Sequence, residues 1–277
     1  MRIFGYRPPI TAWIGMLIVA ACIFVAIFAP WLAPYPEDAS VGDTWADMSP
    51  EFRLGTDNIG RDILSRVLYG ARTTLGIALL TTILSFIIGT TTGFLAATGG
   101  WAIDQVLSRF VDIVLSVPLL IWALIFLAPF GANAVALIVV IACLDSTRVF
   151  RLARAVASNL VVTEFVEVAR LRGEGLMYIM FREVLPNALP PLITEFGLRY
   201  CFNFLFVAAV SFLGFGVQPP FADWGGMVRE NASTILSGQY NALWPAFAIA
   251  LVTIGVNLIV DWVLSINARP SGASAEL

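Results

Sequence analysis

Asp145 and Arg148 follow directly on an uncharged run over 113–144, so the first charges met after a long apolar stretch are an acid and a base three residues apart. On a helix that spacing puts both on one face, where they can pair. Counted from Ala134 at about 1.5 Å per residue, Asp145 lies about 16 Å and Arg148 about 21 Å along such a helix. A charge at that depth in a bilayer costs about 2.5–3.5 kcal/mol or more, and so faces a protein interior or a water-filled route. Two readings follow: a polar lining for a pathway, with Asn203 and Ser211 as further polar candidates, or an intramolecular structural pair. Glu195 and Arg199, four apart, read as a structural pair. Asn203 and Ser211 also suit interhelical hydrogen bonds, and Phe202, Phe204, Phe206 and Phe212 read as packing rings rather than a stacking platform.

Much chemistry is excluded. The chain has no histidine, and all 16 of its basic residues are arginine. A phosphate-binding loop of the Walker type lacks its lysine, and histidine-based catalysis or metal ligation is absent. Cys22, Cys143 and Cys201 are far apart in apolar segments and read as buried free thiols. No metal site, catalytic residue or cofactor is expected in this chain, and its net charge of -3 suggests no nucleic-acid partner.

The elements that position these groups are set by composition. Hydrophobic residues make up 59% and charged residues 13% of the 277, which points to a multi-pass membrane protein. Apolar runs predict six transmembrane helices: one within 8–36, one within 73–103, then about 108–128, 134–157, 191–215 and 241–265. Pro129, Gly131 and Asn133 predict a tight hairpin between the third and fourth. With the N-terminus cytoplasmic, eleven arginines, Arg2, Arg7 and Arg269 among them, fall inside and five outside. The expected organisation is a cytoplasmic tail 1–9, a transmembrane domain 10–269 with outer segments 35–72 and 216–240 and an inner loop 158–189, and a cytoplasmic tail 270–277.

Within the inner loop, Thr163 is expected to cap a short helix whose first turns carry Glu164 and Glu167. Gly173 and Gly175 break it. A second amphipathic helix, with Leu176, Ile179, Met180 and Val184 as its stripe, is expected to end at Pro186. In the first outer segment, Asp57, Arg61, Asp62 and Arg66 recur at three- to five-residue spacing. That reads either as a docking surface, with Gly55, Thr56 and Gly60, or as a surface helix whose ion pairs contribute about 0.3–0.5 kcal/mol each.

The inner loop resembles the EAA motif of ATP-binding-cassette (ABC) importer permeases, with Glu167, Ala169, Gly173, Leu185 and Pro186 at the matching positions. Val168 replaces the motif's first alanine, and Glu183 stands where isoleucine is usual. LGTDNIGRDILSRVLYGAR (54–72) and SFLGFGVQPPFADWGGMV (211–228) resemble blocks of the second permease subunit of dipeptide, oligopeptide and nickel importers, and the likeness runs from about 31 to 261. This resemblance implies an all-α integral membrane protein of the type I ABC importer permease fold, in the bacterial cytoplasmic membrane. It implies a heterodimer with a second related permease, two cytoplasmic ATPase subunits that bind the ATP and Mg, and an extracytoplasmic solute-binding protein. Glu164, Glu167, Ala169, Arg170, Arg172, Gly173, Leu185 and Pro186 then form the ATPase-coupling element. The chain itself would be no enzyme. A secondary transporter or channel, working without ATPase subunits, is the competing reading; it leaves the EAA-like loop unexplained.

Overall fold

The computed structural model describes residues 8–131 and 133–267, without the side chains of Ser237 and Asn267. Arg2, Arg7 and Arg269, and the tails expected at 1–9 (up to residue 7) and 270–277, lie outside the described residues. Ten α-helices account for most of the rest: α1 Ile10–Leu32, α2 Ile63–Thr98, α3 Trp101–Leu115, α4 Leu119–Leu127, α5 Ala134–Val161, α6 Glu164–Leu171, α7 Leu176–Tyr178, α8 Leu185–Val210, α9 Trp224–Asn231 and α10 Leu243–Asn267. No strand forms among the described residues, only two isolated bridges in the segment after α1.

Four described helical stretches are long and apolar enough to cross a membrane: Ile10–Leu32, Ile63–Thr98, Leu176–Phe215 and Leu243–Ile266. A fifth is added if Trp101–Leu115 and Leu119–Phe130, bent by 88°, count as one span. At 28 residues α5 is long enough to be the sixth, and Asp145, Arg148, Arg151 and Arg154 are what interrupt its apolar character.

The boundaries depart from the hydropathy reading at three places. First, α2 starts ten residues ahead of Thr73, because Asp62 accepts from Ser65 N (2.8 Å) and caps it, drawing Arg66 and Arg72 into the helix. Second, the expected straight helix over 108–128 begins at Trp101 and breaks before Pro118. Proline donates no hydrogen bond and pushes its predecessor out of the helical region. Third, Pro186 does not end a helix. A π-type turn, Ile179–Val184, leads straight into α8, which carries Pro190 and Pro191 inside it. Widening the turn removes the clash that proline makes with the carbonyl four residues back, and Asn187 Nδ2 donates to Glu183 O (2.7 Å) there.

The chain divides into two units. One holds the described residues up to Ala78, Asn133 and Ala134, and those from Phe204 on. In it α1 lies close along α10: a methyl group placed on Gly15 would sit 2.7 Å from Gly255 O. Small residues at such crossings let backbones approach where no hydrophobic driving force separates helix from lipid. The other unit is Leu79–Gly131 with Val135–Asn203. It repeats the device with Gly89 and Gly93 of α2, where a methyl would lie 2.6 Å from Ser146 O and 2.8 Å from Phe150 O of α5. Its apolar core joins Phe94 and Ala153 to Val166, Met180 and Val184.

Candidate functional site

The unit built on Leu79–Gly131 and Val135–Asn203 contains a buried polar centre. Asp145 of α5 is wholly covered. Its Oδ2 accepts from Ser85 Oγ (2.9 Å) and Asn203 Nδ2 (3.1 Å), and Oδ1 from Arg199 Nη1 (3.5 Å). The Asn203 amide also reaches Thr82 Oγ1 at 3.2 Å. Arg199 lies 2.7 Å from Glu195, so the i,i+4 pair read from the sequence forms. The Asp145–Arg148 pair does not. Three donors already surround the aspartate, and the Arg148 guanidinium instead lies 4.4 Å above the Phe202 ring centre, where the ring's negative face attracts it. Ser85 and Thr82 were missed by sequence reasoning, since hydroxyls in an apolar helix carry no signal until a partner helix is placed. Gly89 and Gly93, a small-xxx-small spacing, did carry one.

Within the same unit, the loop after α5 is fixed from beneath. Val166 and Ala169 of α6 are fully buried, so the motif's second alanine stands where no larger side chain fits. Val168 is about half exposed at 52%, which is why that departure is tolerated. Thr163 occupies the N-cap position, but its hydroxyl donates back to Leu160 O and leaves the side-chain cap unmade. At the other end Gly173, with φ 79°, closes the helix: Gly173 N donates to Arg170 O (2.9 Å) and Glu174 N to Ala169 O (3.2 Å). That left-handed turn needs glycine, whereas Gly175, with φ -75°, does not. Across the turn Arg172 lies 3.6 Å from Glu183, so the second departure from the motif supplies an ion pair. Glu164, Glu167, Arg170, Arg172 and Pro186 are exposed, Leu185 is half-buried, and Phe165, Leu171 and Met177 add exposed apolar surface. Of the expected stripe, Ile179, Met180 and Val184 are buried and Leu176 is not.

In the other unit, the segment after α1 overturns the surface-helix expectation. Gly55, Thr56, Asp57, Gly60, Arg61, Asp62 and Arg66 are all buried. Asp57 Oδ2 accepts from Arg61 Nε and Arg66 Nη1, each at 2.6 Å, while Glu230 Oε2 receives Arg61 Nη2 (3.1 Å) and Arg66 Nη1 (2.8 Å). Asp57 Oδ1 also accepts from the backbone of Ile59 and Arg61, 3.0 Å each. These side chains are consumed by the fold and present no docking surface of their own. Their fourth member, Glu230, lies more than 160 residues away, beyond the reach of any spacing argument. Asp223 caps α9 through Gly226 N (2.9 Å) and accepts from Thr74 Oγ1 (3.0 Å). Burial pushes its carboxyl above the usual range, against the lowering effect of the Gly226 amide. Ser211 is buried against Gly216 and Gly225. Of the three cysteines only Cys201 is buried; Cys143 is exposed, contrary to the sequence reading.

Long apolar helices closed by glycine crossings, a charged centre enclosed among them, and a glycine-hinged amphipathic loop define a multi-pass helical membrane protein. Comparison with known proteins gives the family. Residues 89–269 match the binding-protein-dependent transport system inner membrane component, and 11–50 match the N-terminal TM domain of oligopeptide transport permease C. The chain belongs to the binding-protein-dependent inner-membrane permeases, and is the permease subunit of an ABC importer. It is 34% identical over 254 residues, 89% of this chain and 84% of the relative, to the di/tripeptide transport system permease protein DppC of Pseudomonas aeruginosa. To the dipeptide permease DppC of Escherichia coli strain K12 it is 35% identical over 260 residues, 90% of this chain and 86% of that one. The glutathione transport system permease protein GsiD of Pectobacterium atrosepticum is 32% identical over 248 residues, covering 88% and 82%. Among solved structures, an amino acid ABC transporter with histidines shares the fold, with a TM-score of 0.51 and 21% identity over 74% of this chain and 93% of that chain.

Proposed function

We propose that this permease carries peptides or solutes of similar size, such as glutathione, inward, and that it does so as half of a heterodimer with a second related permease. Two cytoplasmic ATPase subunits bind the ATP and Mg and perform the hydrolysis; an extracytoplasmic binding protein delivers the solute. Both termini and the loop around α6 face the cytoplasm. Oligosaccharides or nickel chelates remain within the solute size range, and the binding protein selects among them.

The observation that carries this reading is the two-sided loop. Its inner face is anchored by Val166, Ala169, Met180 and Val184, and its outer face sets Phe165, Val168 and Leu171 among Glu164, Glu167, Arg170 and Arg172. An apolar strip rimmed by charge, clamped to membrane helices, suits the grip of a soluble ATPase. Force at α6 passes into α5 and α8, which carry Asp145, Arg148 and Asn203, polar groups we assign to the pathway, with Arg199 held beside them in its pair with Glu195. A nucleotide-driven partner shifts the permease between states only through contacts that differ between those states, and the loop supplies them. Two homologous relatives named for dipeptides support the choice of solute.

The test is co-expression with candidate partners and purification. An ATPase is expected to co-purify, and Glu167→Ala is expected to weaken that association while membrane insertion is unchanged. Transport-active protein isolated without any nucleotide-binding subunit, or assembly and coupled uptake untouched in Glu167→Ala, would defeat the assignment.

A further inference from the structure

Charge around Phe202 is unevenly shared. Arg199 is held between two carboxylates, Glu195 at 2.7 Å and Asp145 at 3.5 Å, so that group carries one negative charge in excess. Arg148 lies over the same ring, 4.4 Å from its centre, and among the described residues has no acid within ion-pair distance. It is half-buried, on a helix long enough to span a membrane. An arginine so placed is costly without a counter-ion, and the ring's quadrupole offsets only part of that. Asn203, beside Asp145, is fully covered, and its carbonyl oxygen has no donor. One unmatched cation, one acid-rich group and one orphan acceptor therefore gather on α5 and α8.

We infer that Arg148 and Glu195 form a subsite for the two charged ends of a short peptide, the α-carboxylate on Arg148 and the α-ammonium on Glu195. This rests on the importer reading and names the ligand chemistry of its pathway. The guanidinium is suited to the carboxylate because its planar fork donates two parallel hydrogen bonds, and its contact at Phe202 is with the ring face, 4.4 Å from the centre. The Glu195 side chain is 20% exposed, whereas Asp145 is closed in by Ser85, Asn203 and Arg199. Glu195 is thus the acid a solute can reach, and Asp145 positions Arg199 beside it.

The test uses the whole transporter in proteoliposomes and compares ATP-driven uptake of alanyl-alanine with that of alanyl-alanine amide. Removing a charge-assisted contact to the carboxylate is expected to lower the acid-over-amide ratio about tenfold in Arg148→Gln, with part of it retained in Arg148→Lys. Glu195→Gln is expected to act at the other end, lowering the preference for alanyl-alanine over its N-acetyl form. The binding protein is the same throughout, so a changed ratio reports the permease. Equal loss of both probes in Arg148→Gln, the signature of a lipid phosphate or a packing role, overturns the subsite. ATP-driven uptake with unaltered ratios overturns it too and leaves the importer reading standing. A wild-type complex that moves neither probe with ATP overturns the choice of peptides as solute and the subsite with it.

Discussion

Replacing Gly89 by alanine tests whether helix contact and the polar centre are mechanically joined. The added methyl would lie 2.6 Å from Ser146 O, 2.6 Å from Val149 Cβ and 2.9 Å from Val149 Cγ1. Ordinary carbon contacts fall at about 3.5–4.0 Å. A backbone carbonyl cannot rotate aside, so α2 and α5 must part by about 1 Å. Ser85 lies one turn before Gly89, and Asp145 adjoins Ser146, so the separation falls directly on the Ser85–Asp145 hydrogen bond of 2.9 Å. Stretched past about 3.5 Å that bond is lost. Overpacking costs about 1–3 kcal/mol and the bond about 1 more, for a total of about 2–4 kcal/mol. The assay is unfolding of the purified chain by dodecyl sulfate, followed by tryptophan fluorescence. Gly76→Ala on the same helix is the control: nothing lies within 4 Å of its added methyl, and helix propensity makes it neutral to stabilising by up to about 1 kcal/mol. Equal midpoints for the two variants would refute the reasoning.

Asp57→Ala should be among the more damaging single changes in its unit, costing about 3–5 kcal/mol, because it leaves Arg61 and Arg66 buried and removes the side-chain acceptor of two backbone N–H groups. Glu230→Gln should cost less, since Glu230 is 14% exposed and both arginines keep Asp57; the reverse order in denaturant midpoints would show the cluster misassigned. Asp223→Asn should gain on the wild type as pH rises from about 4 to 8. Burial raises the folded carboxyl above 3.8, so the wild type has its full stability below that value and loses some as pH rises through the folded value, while the asparagine does not titrate. Melting temperatures whose difference is flat across that range would contradict it.

Much of the loop around α6 was legible because it rests on local rules. Gly173 marks a left-handed turn, and the stripe of Ile179, Met180 and Val184 marks a buried face, whatever lies opposite. Glu195 and Arg199 were legible for the same reason, being neighbours on one helix. Pro186 misled, since a membrane helix can pass a proline by widening a turn, and the local rule cannot see that allowance.

From the sequence alone follow the helical class, most of the apolar spans, the amphipathic loop and the family, because each depends on composition or on spacing within one segment. Tertiary structure alone decided that Asp145 is held by Ser85, Asn203 and Arg199 while Arg148 turns to Phe202, and that Asp57, Arg61 and Arg66 are buried against Glu230. The physical reason is that a charge takes whichever partner desolvation leaves within reach, and that partner is chosen by how helices cross, not by how residues are numbered.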